Sequence, residues 1–176
     1  MVPYTDCRAS IASNLEWMIE RAKGFREDTL LYFAYTALIL PEQMAKVAPR
    51  AAFEFIAHLP EWGLSFESVG NGWGGGLPTA VPAPGSTVWG AVYAIGQDEL
   101  PGIDTVESKE GRGATEIDAI DRVGKRYRVK THTADASSHP SLEPSHRYLE
   151  IMMRGSRHWG LPVGWVIGLQ DHLTGH

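Results

Sequence analysis

Residues 29–35, Thr-Leu-Leu-Tyr-Phe-Ala-Tyr, form an uncharged apolar and aromatic run of strand length with no polar side to turn toward water. Such a run suits a strand buried on both faces, so the fold needs a sheet with material packed on either side of this strand. The rest of the chain must supply that cover. Ahead of the run, Ile11, Leu15, Met18, Ile19 and Ala22 recur at helical spacing, and Gly24 offers a stop. Behind it, Pro41 begins a short helix with Glu42 in its first turn and Met44 and Val47 on its apolar face. Two apolar segments, 53–57 and 64–68, flank a break at 59–63 and read as a connected strand pair.

Glycines and prolines crowd residues 70–85, which excludes a regular helix there and predicts an ordered loop. Pro84-Gly85 then reads as a turn into a second strong strand over 87–95. Residues 98–107 suggest a short helix interrupted near Pro101-Gly102. Segments 114–121 and 126–133 form a hairpin around Val123-Gly124-Lys125. Pro144 opens a helix with Tyr148, Ile151, Met152 and Gly155 on one face, Gly160 and Pro162 end it, and a short helix over 162–173 closes the chain. Strands interrupted by helices without regular alternation predict an α+β fold.

At 176 residues and 43% hydrophobic, one core suffices, so residues 1–176 are expected to form a single domain, 1–28 being an extra N-terminal helix and 29–176 the core. Sixteen basic against 21 acidic residues leave a net charge of −5, which argues against a nucleic-acid partner. The lone Cys7 cannot form an internal disulfide, and the first residues lack the basic-then-apolar pattern of a secretory signal, so a cytoplasmic protein is expected. No apolar run is long enough to span a bilayer, and no membrane partner is expected.

Gly70-Asn71-Gly72-Trp73-Gly74-Gly75 matches a dinucleotide fingerprint literally, but prolines follow where the pyrophosphate-binding helix should start. The match is coincidental, although glycines there would let backbone approach a ligand closely. His132, His139 and His146 are evenly spaced, yet Pro140 and Pro144 keep them off one helical face, and no metal site is expected. Arg112, Arg122, Lys125, Arg126, Arg128 and Lys130 read as the solvated face of the hairpin. No nucleophile elbow is present. Asp104, Glu107 and Glu110 are better placed, at the end of a short helix before Gly111 and Gly113, which would bend the chain away. A carboxylate at such a boundary, half buried, suits a general base.

In this order the motifs resemble the γ-glutamylcyclotransferase-like family. The resemblance runs over residues 29–170. Leu31-Tyr32-Phe33-Ala34-Tyr35 is similar to the family's first strand, and Trp73-Gly74-Gly75-Gly76-Leu77-Pro78-Thr79 with residues 84–93 is similar to its glycine-rich loop and following strand. Ile103-Asp104-Thr105-Val106-Glu107 matches its Leu-Asp-x-x-Glu pattern, and Pro144 to Tyr148 with Gly160-Leu161-Pro162 resembles its closing helix. The resemblance implies a small mixed β-barrel with flanking helices. It also implies a cofactor-independent reaction, of lyase or transferase character, in which the α-amino group of a γ-glutamyl amine, amide or peptide attacks its own γ-carbonyl, giving 5-oxoproline and a free amine.

Carried onto this chain, the family's pattern makes Glu107 the general acid/base, with Glu110-Gly111 a competing register that would put Glu110 in that role. Backbone amides of Tyr35, Thr36, Ala37 and Leu38 would hold the glutamyl oxygens, with Gly75 and Gly76 lining the substrate. Tyr148 either adds a phenolic hydrogen bond or packs in the core with its hydroxyl satisfied. The chain departs from the family at Thr36, where a glycine is usual; at positive φ a β-branched residue would be strained by about 1–2 kcal/mol. It departs again at Ser108 and at Gly113 to Glu116, where the family's Gly and Tyr are missing. A related enzyme acting on another small amide or metabolite, and a binding module without chemistry, are the alternatives.

Overall fold

Thr29–Ala34 forms the first strand, β1, in a computed structural model of the chain that describes residues 28–69, 72–135 and 141–174. Successive side chains of a strand point to opposite faces. Tyr32 and Ala34 accordingly enter one core cluster and Phe33 and Tyr35 another, all four essentially without solvent exposure. The run is central, as its composition demands. Along one side it lies antiparallel to β3 (Gly76–Gly96), from Thr29 opposite Gly96 to Ala34 opposite Ala91. Along the other it meets β5 (Arg126–Thr133) in parallel, Tyr32 opposite Lys130.

With β2 (Ala52–Val69) and β4 (Gly113–Asp121), the strands close a mixed barrel in the order β1-β3-β2-β4-β5. Closure removes the exposed edges that an open sheet presents. The hairpin β4–β5 forms as expected, paired from Gly113 opposite Thr133 to Ile120 opposite Arg126.

Two expectations fail at the same place. The break at 59–63 is not a break, because β2 runs through it, and the predicted loop 70–85 is strand from Gly76 onward. The reason is a wide bulge. Trp62 pairs with Pro82 and Pro60 with Thr87, so residues 83–86 stand opposite Glu61 alone. Glu61 adopts φ 65 and Gly85 φ 79, and the Gly85 amide donates to the Glu61 carboxylate at 2.9 Å. Pro84-Gly85 does turn the chain, but pairing resumes on both sides. Pro82 and Pro84 are exposed on this arm, where a missing N–H costs no ladder bond to a third strand.

After β1, Ala37–Ile39 forms a 3-10 turn that leads into helix α1 (Pro41–Val47), opened by Pro41 and Glu42 as predicted. Helix α2 (Leu100–Lys109) is not interrupted near Pro101-Gly102. Pro101 lies in the first turn, where an N–H has no intrahelical acceptor. A Cβ at Gly102 would sit 2.6 Å from the Val47 carbonyl, so glycine there admits the close approach of α1. Helix α3 (His146–His158) is capped by Ser145, whose hydroxyl accepts the Tyr148 amide and donates to the Trp73 carbonyl at 2.6 Å. Helix α4 (Val163–Thr174) packs against it. The predicted N-terminal helix and Cys7 lie outside the described residues. Among the described residues no helix is long and apolar enough to cross a membrane.

Candidate active site

Three stretches converge where β1 ends: the turn after β1, the C-terminus of α2 and the first turn of α3. Glu107 is at their centre and is 0% exposed, so it is fully rather than half buried. Its Oε1 accepts the Thr36 hydroxyl at 2.8 Å, and its Oε2 accepts Nε–H of Arg112.

The backbone dictates the second contact. Gly111 takes φ 83, its N–H donates to the Ser108 carbonyl at 3.0 Å, and the Arg112 N–H reaches back to the Glu107 carbonyl at 3.0 Å. This is a Schellman ending, in which the second residue past the C-cap Glu110 lies over the third residue from the helix end. That contact is usually hydrophobic. Here it is an ion pair with the guanidinium 1% and the carboxylate 0% exposed. The glycines therefore do not bend the chain away from the carboxylates but fold it back across them.

Arg112 is also the largest departure from the sequence reading, which placed it on the solvated hairpin face. Its Nη1 donates to the Pro78 carbonyl at 2.8 Å, and its Nη2 donates to Tyr148 Oη at 3.0 Å and to the Glu110 carboxylate. Burial pulls its pKa down, but the charges around it, that of Glu107 foremost, more than offset this, and it ends well above its ordinary value. The guanidinium stays charged. Spacing alone does not fix this: only with Gly111 in the left-handed position does residue 112 lie beside residue 107.

Tyr148, 1% exposed, joins the same cluster. Its Oη accepts from the Ala37 amide at 3.2 Å as well as from Arg112, and it donates to Glu110 at 2.6 Å. A phenol has one donor and two acceptor sites, so all three are committed within the protein. Burial raises its pKa well above the usual phenol value, as it does for Tyr32, and pushes Tyr35 up to about 12. All three stay protonated in neutral solution.

Thr36 carries no strain, since its φ is −86, and its hydroxyl supplies a polar contact where the usual glycine could not. Leu38 points into the core with Ile39. Tyr35 donates to the His132 carbonyl at 2.7 Å and accepts from the Ala80 amide at 2.9 Å, tying β1 to β5 and β3. Gly75 and Gly76 pack against the segment that leads into α3. A Cβ on Gly75 would fall 2.7 Å from the Ser145 amide, the Gly76 amide donates to the Glu143 carbonyl at 2.7 Å, and the Ser145 amide donates to the Gly76 carbonyl at 2.9 Å. They seat the start of α3, and with it Tyr148.

A second buried chain runs alongside. His132, 1% exposed, lies 3.1 Å through Nδ1 from Tyr32 Oη and 2.9 Å through Nε2 from Asp104. Burial lowers its pKa below 6.5 despite the opposing charges of Glu107 and Asp104. Neutral imidazole with Nε2–H toward Asp104 and Nδ1 accepting from Tyr32 satisfies every group. The Asp and the Glu of the Ile103–Glu107 motif thus engage two different networks one helical turn apart. His139 lies outside the described residues, and among the described residues no three His, Cys, Asp or Glu side chains converge as metal ligands would.

Residues 87–169 match the AIG2-like family. The chain is 30% identical to human gamma-glutamylcyclotransferase over 146 residues, covering 80% of this chain and 77% of that one. It belongs to the gamma-glutamylcyclotransferase family. The mouse gamma-glutamylcyclotransferase gives 30% identity over 145 residues, 79% of this chain and 76% of its own. A solved gamma-glutamyl cyclotransferase structure superposes with a TM-score of 0.74 at 28% identity, covering 81% of this chain and 86% of the other. A crystal structure of an uncharacterized Homo sapiens protein gives the same TM-score at 29% identity, with 81% and 87% covered. The mixed barrel with its flanking helices is thus the gamma-glutamylcyclotransferase fold, and membership makes the chain an enzyme of that family. Its buried acidic and basic cluster lies within the matched residues, apart from Thr36 and Pro78.

Proposed function

We propose that the protein cyclises a γ-glutamyl amine, amide or peptide to 5-oxoproline with release of the amine, Glu107 acting as general acid/base. The observation that carries this is the Glu107 carboxylate, buried where the turn after β1 meets α2 and holding one protein donor on each oxygen. Each carboxylate oxygen has two lone-pair directions, so one on each is left for a substrate proton.

The reaction asks for such a group. Nucleophile and electrophile belong to one molecule, so no cofactor is required, and the protein's main task is to hold the substrate bent with its amine against its γ-carbonyl. The α-ammonium must lose a proton before it attacks, and the leaving nitrogen must gain one before it departs. Glu107 takes the first and returns it to the second. Backbone amides of the turn after β1, other than that of Ala37, which already donates to Tyr148 Oη, bind the glutamyl oxygens and meet the developing oxyanion. The Ala37 amide is held by Tyr148 Oη, which fixes that turn relative to α3.

The test is a panel of γ-glutamyl amines, amides and dipeptides incubated with the protein and followed by mass spectrometry for 5-oxoproline and free amine. Glu107→Gln keeps the shape but cannot shuttle a proton, and turnover should fall by about 10²-fold or more. Folded wild-type protein releasing no 5-oxoproline from any member would overturn the reading. Full activity in Glu107→Gln together with loss in Glu110→Gln would move the proton transfer to Glu110.

A further inference from the structure

The geometry points to Arg112 as a positioning residue that orients the Glu107 carboxylate and keeps it available as a proton acceptor. The inference rests on the cyclotransferase reading, with Glu107 as the base, and adds to it a residue that acts through Glu107 rather than on the substrate.

Every nitrogen of the Arg112 guanidinium has a partner, and the partners come from different parts of the fold. Nε holds Glu107 in the last turn of α2, Nη1 holds the Pro78 carbonyl on β3, and Nη2 holds Glu110 at the end of α2 and Tyr148 on α3. A planar fork fixed at three corners cannot rotate without breaking several bonds at once. The carboxylate it grips is therefore fixed too. Thr36 completes the clamp from the other oxygen, so the lone pairs left to the substrate point in set directions.

Two acidic side chains share this one guanidinium. Among the described residues, the remaining titratable groups facing the cluster are the phenols of Tyr32 on β1, Tyr35 just after it and Tyr148 on α3, and His132 on β5. The three phenols are held protonated by burial and His132 is held neutral, so Arg112 is the cation that faces Glu107. A lysine would keep the charge but could not reach Glu107, Glu110 and the Pro78 carbonyl together.

The experiment compares Arg112→Lys and Arg112→Gln with wild type in the pH profile of kcat/KM for the panel member that is turned over, with the exposed hairpin variant Arg128→Gln as the control of unchanged activity. Removing the guanidinium disfavours the charged carboxylate, so the acid limb of the Arg112→Gln profile should move to higher pH by about one unit or more, and kcat should fall about 10- to 10²-fold. Arg112→Lys should leave the limb near its wild-type position while still losing kcat, because charge remains and orientation does not. Folding is checked by circular dichroism, and if Arg112→Gln does not fold, the lysine variant carries the orientation test alone. The carboxyl titration of Glu107 is read separately, by 13C NMR of glutamate-labelled protein without substrate, the resonance being assigned by its loss in Glu107→Gln. Full kcat in a folded Arg112→Lys, or an unmoved limb and carboxyl titration in a folded Arg112→Gln, would overturn the inference. Absence of 5-oxoproline from wild type sinks the cyclotransferase reading instead, leaving the coupling of Arg112 to Glu107 to be judged on the carboxyl titration alone.

Discussion

At the scale of single residues, the buried side chains around α2 carry opposite burdens. Glu107 and Arg112 are both charged groups taken out of water, and such a pair is tolerated because each supplies the other's counter-charge and further hydrogen bonds complete the set. His132 solves the same problem by staying neutral. Its pKa lies below 6.5 in the folded chain because it is buried, while in the unfolded chain it titrates at its ordinary value. Below that value the unfolded chain binds more protons than the folded one, so this residue's contribution is intact above pH 6.5 and is lost as pH falls through the folded value. The melting temperature of wild type should therefore drop between pH 7 and pH 5, and the slope should flatten in His132→Asn, as followed by thermal denaturation across that range. Glu107 was legible in the sequence because its motif places one acid per helical turn near a helix end. His132 and Arg112 were not, because the first needs the β5 register to bring it to Asp104 and the second needs a glycine's φ to bring it back over the helix.

Secondary-structure elements meet the site through close approaches that only small residues permit. Gly155 on α3 is the clearest of these, since a Cβ there would fall 2.6 Å from Ile39 Cγ2 and 2.8 Å from the Leu40 amide, directly behind the turn that carries Thr36 and Ala37. Gly155→Ala must push that turn or α3 outward, and should cost about 1–3 kcal/mol, read as a lower urea midpoint, with turnover falling alongside it. Helices α1 and α3 were readable, since Pro41 and Pro144 mark their starts and Tyr148 and Met152 share a face at helical spacing, whereas the continuity of α2 through Pro101-Gly102 was not. The long β2–β3 pair was not. Its bulge mimics two turns in the sequence, because Leu59 to Gly63 and Pro84-Gly85 carry turn-forming residues that are used within a continuous ladder. Pairing across a bulge is a tertiary fact, and local residue types do not encode which two irregularities will face each other.

Across the whole molecule, protection should follow the barrel wall. Residues 91–94 of β3 pair with both β1 and β2 and are buried, whereas residues 81–87 of the arm have β2 alone beside them and are largely exposed. Hydrogen exchange followed by mass spectrometry should find amides of 91–94 among the slowest, opening only with global unfolding, and those of 81–87 much faster through local opening. Equal protection of the two segments would mean that the arm is covered by something else.

The cluster around Glu107 is assembled from Thr36, the Pro78 carbonyl, residues 107–112 and Tyr148, so its last member lies well past the final strand. A ribosome-tethered chain that has already extruded all five strands still lacks the helix that braces Glu110 and the Ala37 amide. On the proposed mechanism, release of 5-oxoproline is therefore expected only once that helix has left the ribosome.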